Sequence, residues 1–445
     1  MRLTNKNTLL LFFILTTYNL LGQTPKMGRV LGWQIDTAQN ETFDQAVLQA
    51  SNVCMEASHV SFAWSEIEPA NGNFDMNFIH NNLDLANNFY STNQIKIELQ
   101  ISTINTTTKE TPYDLQNIAF DNPTMISRFK ILLDTLFQHM PDVELIALNI
   151  GNESDVYFGT SSNQYQAYKT FLDSVIPYAK QKYFALHGTN LKVGTTFTFE
   201  GLTSSSTSSL CHLVNNSTDM VSTTYYPLNP DFTMGPPNIV FNHFNNLINQ
   251  YNNPSKPIYI VELGYASSLQ CNSSENQQAQ FYQNVFEAWD NHSDIIRYIS
   301  FFKLTDWSQE QVNYFANYYG ITDPIFLEFL RTLGVRENNG NHKPAFDIIA
   351  CELFSRNWCT TDCVIGSTDD LQPNMMTIFP NPAENKIFIK IKHPIKSIKI
   401  YNFSGQILYR GKKKIINLEK FPNGFYMVKV KTKNNHIFIR KLIKN

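Results

Sequence analysis

Two glutamates stand where carboxylates are costly to keep. Leu145 to Ser154 is an apolar run that reads as a buried strand and ends abruptly in Asn152-Glu153, and Pro257 to Gly264 is a second such strand that delivers Glu262 at its end. A carboxylate at the mouth of a core strand must be desolvated, so it needs a chemical reason to stay there. Two of them are the minimum equipment for cleaving a glycosidic bond. One protonates the leaving oxygen and the other attacks the anomeric carbon.

The elements that would position such a pair follow from the apolar pattern. Short apolar segments alternate with longer amphipathic ones, the signature of repeated βα units and a parallel sheet. Strands are predicted over 29–35, 59–64, 95–101, 145–150, 191–197, 220–225, 258–262 and 298–304. Helices are predicted between them over 43–50, 77–88, 125–139, 165–182, 238–250 and 277–290. Eight strands in this alternation select a (β/α)8 TIM barrel, whose chemistry lies at the carboxyl ends of the strands. Those ends carry Trp33, Trp64, Asn152-Glu153, Tyr225-Tyr226, Glu262 and Thr305-Asp306-Trp307. Polar, acidic and aromatic side chains therefore gather on one face, although each strand was placed by apolar pattern alone. A closing helical region is expected from Tyr319 to Phe354, with starts at Asp323-Pro324 and Lys343-Pro344.

Composition narrows the function classes. At 445 residues the chain suits a barrel plus an appendage. Charged residues are few, 16%, against 13% aromatic, and Asn, Ser and Thr are plentiful. Such a surface suits sugar contacts better than phosphate or nucleic acid, which require clustered positive charge. Residues 1–22 read as a signal peptide: a short basic start, an apolar stretch from Thr8 to Leu21, then polar sequence. No other apolar run approaches membrane-spanning length. Six cysteines fit an oxidising compartment and permit three disulfides, with Cys351, Cys359 and Cys363 forming a possible local staple. No Cys/His spacing resembles a metal site, and neither a metal nor a cofactor is expected.

From Thr377 onward the chain is different in kind. Sixteen Lys or Arg stand against Glu384 and Glu419, a charge of +14, which leaves −17 on the remainder of a chain whose total is −3. Residues 386–392, 397–401, 406–409, 425–430 and 437–440 alternate apolar with basic side chains, separated by turns at 402–405 and 422–424. That is the pattern of a small antiparallel sandwich with a basic outer face. The domain plan is a signal peptide over 1–22, a barrel over 23–355, a linker over 356–376 and an all-β sandwich over 377–445. Phe379-Pro-Asn-Pro-Ala383, Ile400 to Gly405, Asn423 to Tyr426 and the closing Lys441 to Asn445 together resemble the C-terminal sorting domain of type IX secretion. The resemblance implies a Bacteroidetes-type bacterium, the type IX machinery as a partner, and delivery through the outer membrane to the surface or the medium.

The barrel resembles the retaining glycoside hydrolases of clan A, in which an Asn-Glu pair after the fourth strand carries the acid/base and a Glu ending the seventh is the nucleophile. Here Asn152-Glu153 and Glu262 occupy those positions, 109 residues apart, which spans three βα units. The resemblance gives Asn152 the sugar 2-hydroxyl, Tyr225 or Tyr226 the orientation of Glu262, and Trp33, Trp64 and Trp307 the stacking of sugar rings. Glu66 and Glu68 are expected to shape a loop, Asp155 and Asp306 to line the cleft, and Glu98 to be either a buried structural carboxylate or a subsite residue. Many members carry an Arg in the second strand, and His59 to Trp64 has none. Tyr225-Tyr226-Pro227 and Val261 to Tyr265 lean towards endo-β-1,4-galactanases. The function expected is a secreted, monomeric retaining β-glycosidase acting on a polysaccharide, with an inactive glycan-binding barrel as the alternative. A barrel enzyme for phosphorylated sugars would want a Gly-rich phosphate loop, of which Gly264 to Ser268 is a poor version.

Overall fold

A computed structural model describes residues 26–358, 376–381, 383–391, 394–402, 407–433 and 437–444. The signal peptide, most of the linker, Cys359 and Cys363, and the 402–405 turn beyond Asn402 lie outside the described residues. Two compact units divide the chain, Met1–Ile365 and Gly366–Asn445.

The first unit is the barrel. Its strands are β1 (Val30–Trp33), β2 (Ala57–Ala63), β3 (Lys96–Asn105), β4 (Leu145–Asn152), β5 in two pieces (Val193–Gly194 and Thr196–Thr198), β6 (Val221–Tyr225), β7 (Ile258–Leu263) and β8 (Ile296–Phe301). Each pairs in parallel with its sequence neighbours and β1 pairs with β8. The ring closes at β5, whose first piece pairs β4 and whose second pairs β6. Helices cover the outside, and their starts obey local rules. Thr42 and Gln45 form a reciprocal capping box, and Asp323 caps a helix whose first residue is Pro324. The closing region separates into helices Gln309–Tyr319, Pro324–Arg331 and Pro344–Ser355.

Alternation along the strands sorts side chains between two environments. In β3, Ile97, Leu99 and Ile101 join the main core with the helices, while Glu98, Gln100 and Ser102 are buried polar residues between them. In β4, Leu148 and Ile150 go to the core and Asn149 is buried and polar. Tyr259, Val261 and Tyr298 form a separate apolar cluster with Ala57, Ala147 and Met220. The lumen is thus apolar in one layer and polar above it.

One irregularity changes which side chains reach the lumen. Between Ile260 and Glu262, β7 advances two residues while β6 advances only from Thr223 to Thr224. Between Ile260 and Leu263 it advances three against two in β8. The extra residue is a bulge, which re-aims the side chains after it. Plain alternation would send Tyr259 and Val261 inward and Glu262 out among the helices. The bulge turns Glu262 into the lumen.

Beside the amino ends of the strands, Arg29 and Arg356 both hold Asp290, at 2.9 Å each, and Arg356 also holds Glu352. Arg29 lies 5.0 Å from the Trp289 ring. This network ties the chain leading into β1 to helix Glu275–Asn291 and to the last helix. Cys54 and Cys351 each take part in a disulfide. Cys211 and Cys271 are buried free thiols, so the three disulfides that six cysteines permit are not formed.

The second unit holds two antiparallel sheets. One is β9 (Thr377–Phe379), β10 (Lys386–Lys390) and β13 (Ile415–Asn417); the other is β11 (Ile395–Tyr401), β12 (Ile407–Gly411), β14 (Gly424–Thr432) and β15 (Ile437–Lys444). Ile387, Ile389, Ile398, Ile400, Val428 and Val430 fill a core of their own, with Lys386 and Lys390 exposed on alternate positions. Sequence reading missed β9 and β13, which are only three residues long. Among the described residues no helix is long and apolar enough to cross a membrane.

Arg29 and Arg356 are wholly buried, and removing the partner of a buried ion pair leaves uncompensated charge. Asp290→Ala is expected to lower unfolding stability by about 3–5 kcal/mol, measured by chemical denaturation, with the activity of the folded fraction retained.

Candidate active site

Glu153 follows β4 in a left-handed backbone conformation, φ 48°, that non-glycine residues seldom adopt. The chain reaches it through Gly151, φ 89°, where a Cβ would stand 2.5 Å from the Tyr168 hydroxyl. Glycine is therefore required two residues before the glutamate. The Glu153 carboxylate accepts two hydroxyl hydrogen bonds, from Thr106 Oγ1 beyond β3 and from Thr224 Oγ1 in β6, each at 2.8 Å. Burial raises its pKa above the usual carboxylate range, and these two donors pull in the opposite direction.

Glu262 is buried in the same lumen, and Tyr226 Oη donates to its Oε2 at 2.7 Å. Its pKa is pushed up to about 7, first by burial and then by the charge of Glu153, against the opposing effects of His59 and Tyr226. His59 Nε2 lies 3.9 Å from Glu262 Oε1. The other nitrogen of that imidazole, Nδ1, is hydrogen-bonded to Glu98 Oε2. Asn149 Nδ2 donates to Glu98 Oε1 at 2.6 Å. Glu98 is thus held on both oxygens inside the barrel, which answers the alternatives left open for it: it is a buried carboxylate that carries His59.

Asn152 is next to Glu153 and joins a chain of polar groups across the rim. Its Nδ2 donates to Asn105 Oδ1 at 3.1 Å, Asn105 Nδ2 donates to Tyr318 Oη at 3.0 Å, and Tyr318 Oη donates to Glu110 Oε1 at 2.6 Å. The Asn152 Oδ1 atom is buried without a hydrogen-bond partner. Helix Gln309–Tyr319, after β8, brings Tyr318 and also Tyr319. The Tyr319 hydroxyl, after burial, is raised in pKa by the charges of Glu153 and Glu262. The site is therefore roofed on one side by aromatic side chains.

The aromatic residues singled out from sequence divide sharply. Tyr226 reaches the site. Tyr225 instead packs in the core, with its hydroxyl 3.1 Å from His243 Nδ1. Trp33 is wholly buried edge-on to Phe301, and Trp64 is wholly buried against Phe129, with Nε1 donating to Glu68. Neither ring is accessible to a sugar in this structure: Trp33 ends β1 facing the helix-side core, and Trp64 opens the short helix Trp64–Ile67 after β2. Trp307 is 8% exposed. One face stacks on Phe315 at 4.3 Å and the Lys303 ammonium lies 3.9 Å from the ring centroid, so both partners are internal.

Of the other acids, Glu68 pairs with Arg128 and Glu66 caps the Ala63 amide, both shaping the loop after β2. Asp155 accepts from the Thr198 amide and hydroxyl, and burial lifts its pKa to about 6. Asp306 pairs with Lys343 at 2.7 Å. Sequence reasoning missed His59, Thr106, Thr224, Tyr318 and Tyr319. Only the Thr224-Tyr225-Tyr226 run and the Tyr318-Tyr319 doublet offered a signal. Among the described residues one grouping has metal-ligand chemistry, His80, Asp84 and His139. Asp84 already accepts hydrogen bonds from both rings, at 2.6 and 2.7 Å, so the cluster is satisfied as it stands.

Comparison with known proteins fits this geometry. Residues 152–324, which run from Asn152 and include both glutamates, match the family described as glycosyl hydrolase catalytic core. Residues 377–445 match the secretion system C-terminal sorting domain. No curated protein matches the sequence. Among solved structures, the fold is similar to a glycoside hydrolase family 5 subfamily 18 protein from Bifidobacterium longum in complex with Manβ1-4GlcNAc. That pair has a TM-score of 0.57 at 12% identity, covering 74% of this chain and 79% of the other. It is also similar to an exo-β-1,4-mannosidase from an Opitutaceae bacterium, with a TM-score of 0.55 at 13% identity and coverage of 74% and 59%. A family 39 glycoside hydrolase from Bacteroides cellulosilyticus follows, with a TM-score of 0.51 at 11% identity and coverage of 88% and 80%. None of these three neighbours is named as a galactanase. Carboxylates at the carboxyl ends of barrel strands and the two family matches lead to one conclusion: the chain is a glycoside hydrolase with a TIM-barrel catalytic core, exported by type IX secretion to the cell surface or the medium.

Proposed function

We propose that the enzyme is a retaining β-glycosidase working by double displacement, with Glu153 as acid/base and Glu262 as nucleophile. The observation that carries this reading is the unequal support of two buried carboxylates in one lumen. Glu262 has a hydrogen bond from Tyr226 and a histidine 3.9 Å away, whereas Glu153 has hydroxyl partners only. A neighbouring cation favours the anion more than a neutral donor does. One shared proton therefore resides on Glu153, and Glu262 is the anion that attacks.

In the first step Glu262 forms an ester with the anomeric carbon while Glu153 gives its proton to the departing oxygen, which leaves as an alcohol. Glu262 is then neutral, so its charge no longer opposes ionisation of Glu153. Glu153, now ionised, takes a proton from water as that water attacks the ester carbon. The sugar leaves with its configuration retained, and both carboxyl groups return to their starting states. Asn152 Oδ1, buried and without a partner, accepts from a sugar hydroxyl. Tyr226, Tyr318 and Tyr319 shape the sugar-binding wall that the tryptophans do not. The substrate is a β-glycan, and β-1,4-mannosyl linkages lead the panel because two of the structural neighbours are named for them.

Glu153→Gln and Glu262→Gln are each expected to lower kcat/KM by about three or more decades on whichever glycan the wild type cleaves, read by reducing-sugar release. With an activated aryl glycoside, azide should rescue Glu153→Ala as the β-glycosyl azide and Glu262→Ala as the α-azide; the reverse pattern would exchange the two roles. Thr106→Val with Thr224→Val removes donors that favour the Glu153 anion, so its pKa rises. The alkaline limb of kcat/KM is then expected to move up by about 0.5–1 pH unit.

A further inference from the structure

A histidine buried inside the barrel lies between two carboxylates. His59 is buried in β2, with its side chain 3% exposed and that of Glu98 fully buried. One imidazole nitrogen is bonded to Glu98 and the other faces Glu262 at 3.9 Å. Glu98 is fixed in turn by Asn149. A buried carboxylate with no countercharge would be costly. Among the described residues, Glu98 has His59 as its only ion-pair partner. A proton on each imidazole nitrogen would direct one at Glu98 and the other toward Glu262.

We propose that His59, charged and anchored by Glu98, is the positioning cation of the nucleophile, holding Glu262 ionised for attack and stabilising it again as the leaving carboxylate when the glycosyl ester is hydrolysed. This rests on Glu262 being the nucleophile. Burial disfavours the imidazolium, but Glu98 and then Glu262 outweigh it and hold the His59 pKa above its ordinary value. The groups that face the ring are Glu98 of β3 and Glu262 of β7. Behind them Glu153 and Tyr226 act on Glu262, and Tyr298 and Tyr259 lie in the field of Glu98. Glu262 titrates with the cation present, so losing that cation raises the nucleophile's pKa.

The test is a titration of the full chain with ring-¹⁵N histidine, followed by two-dimensional NMR without substrate, the His59 signal being identified by its absence in His59→Gln. Glu262→Gln is expected to lower the His59 pKa by about one unit and Glu98→Gln by more. A His59 signal that titrates unchanged in Glu262→Gln overturns the proposal. Kinetics supply the second arm. His59→Gln is expected to lower kcat/KM about tenfold or more and to shift its acid limb to higher pH, while His59→Arg, a permanent cation, keeps the limb at the wild-type position. A uniform loss with an unmoved acid limb in His59→Gln marks a merely structural histidine and also overturns it. Should Glu262→Gln stay active, the nucleophile assignment falls by itself, whatever the titration shows.

Discussion

Charge buried in the lumen is the constraint to which this barrel answers. Most barrels of this type fill their interior with branched apolar side chains. Here one layer holds Tyr259, Val261 and Tyr298, and the layer above holds His59, Glu98, Asn149 and two further glutamates. Every carboxylate oxygen in that layer must find a donor or a cation, or the group neutralises. The donors come from separate strands: Asn149 from β4, Thr224 from β6, His59 from β2, and Tyr226 just past β6. The site is therefore a property of the closed ring. No single βα unit could build it.

The roof is assembled by the same logic. Helix Gln309–Tyr319 is anchored through Tyr318 to Asn105 and Glu110, so the segment that follows the last strand is fastened to the third. Asn152 is oriented by that line of hydrogen bonds rather than by its own strand. The ion-pair network of Arg29, Asp290 and Arg356 lies beside the opposite ends of the strands, where residues serve stability. The lumen carboxylates and the stabilising charges are separated by the length of the barrel.

The sequence revealed whatever was written in periodicity. All eight strand positions could be read, and with them the two glutamates at strand ends, because an apolar run terminated by an acid is a local signal. The errors arose where a side chain's direction mattered. Trp33 lies at its strand end on the helix-facing side, where a one-residue change of phase decides between lumen and helix layer, and Trp64 lies beyond its strand, in the short helix Trp64–Ile67, where strand alternation no longer applies. His59 and Glu98 lie 39 residues apart in sequence, and nothing local announces that β2 and β3 set them in register. Thr106 and Tyr319 come from a turn and a helix end, where periodicity carries no information. In the second unit the lysine-apolar alternation was legible for the long strands, and the three-residue strands were too short to show it.

The bulge in β7 has a consequence for how such an enzyme could arise. With the same residues laid out as a regular strand from Ile260 onward, the carboxylate would point into the helix layer. No single substitution reproduces this effect, because side-chain type and strand parity are independent variables. A lumen carboxylate at this position therefore depends on strand parity as well as on residue type. A designer who grafts the glutamate alone onto a regular seventh strand would place it on the outside of the cylinder.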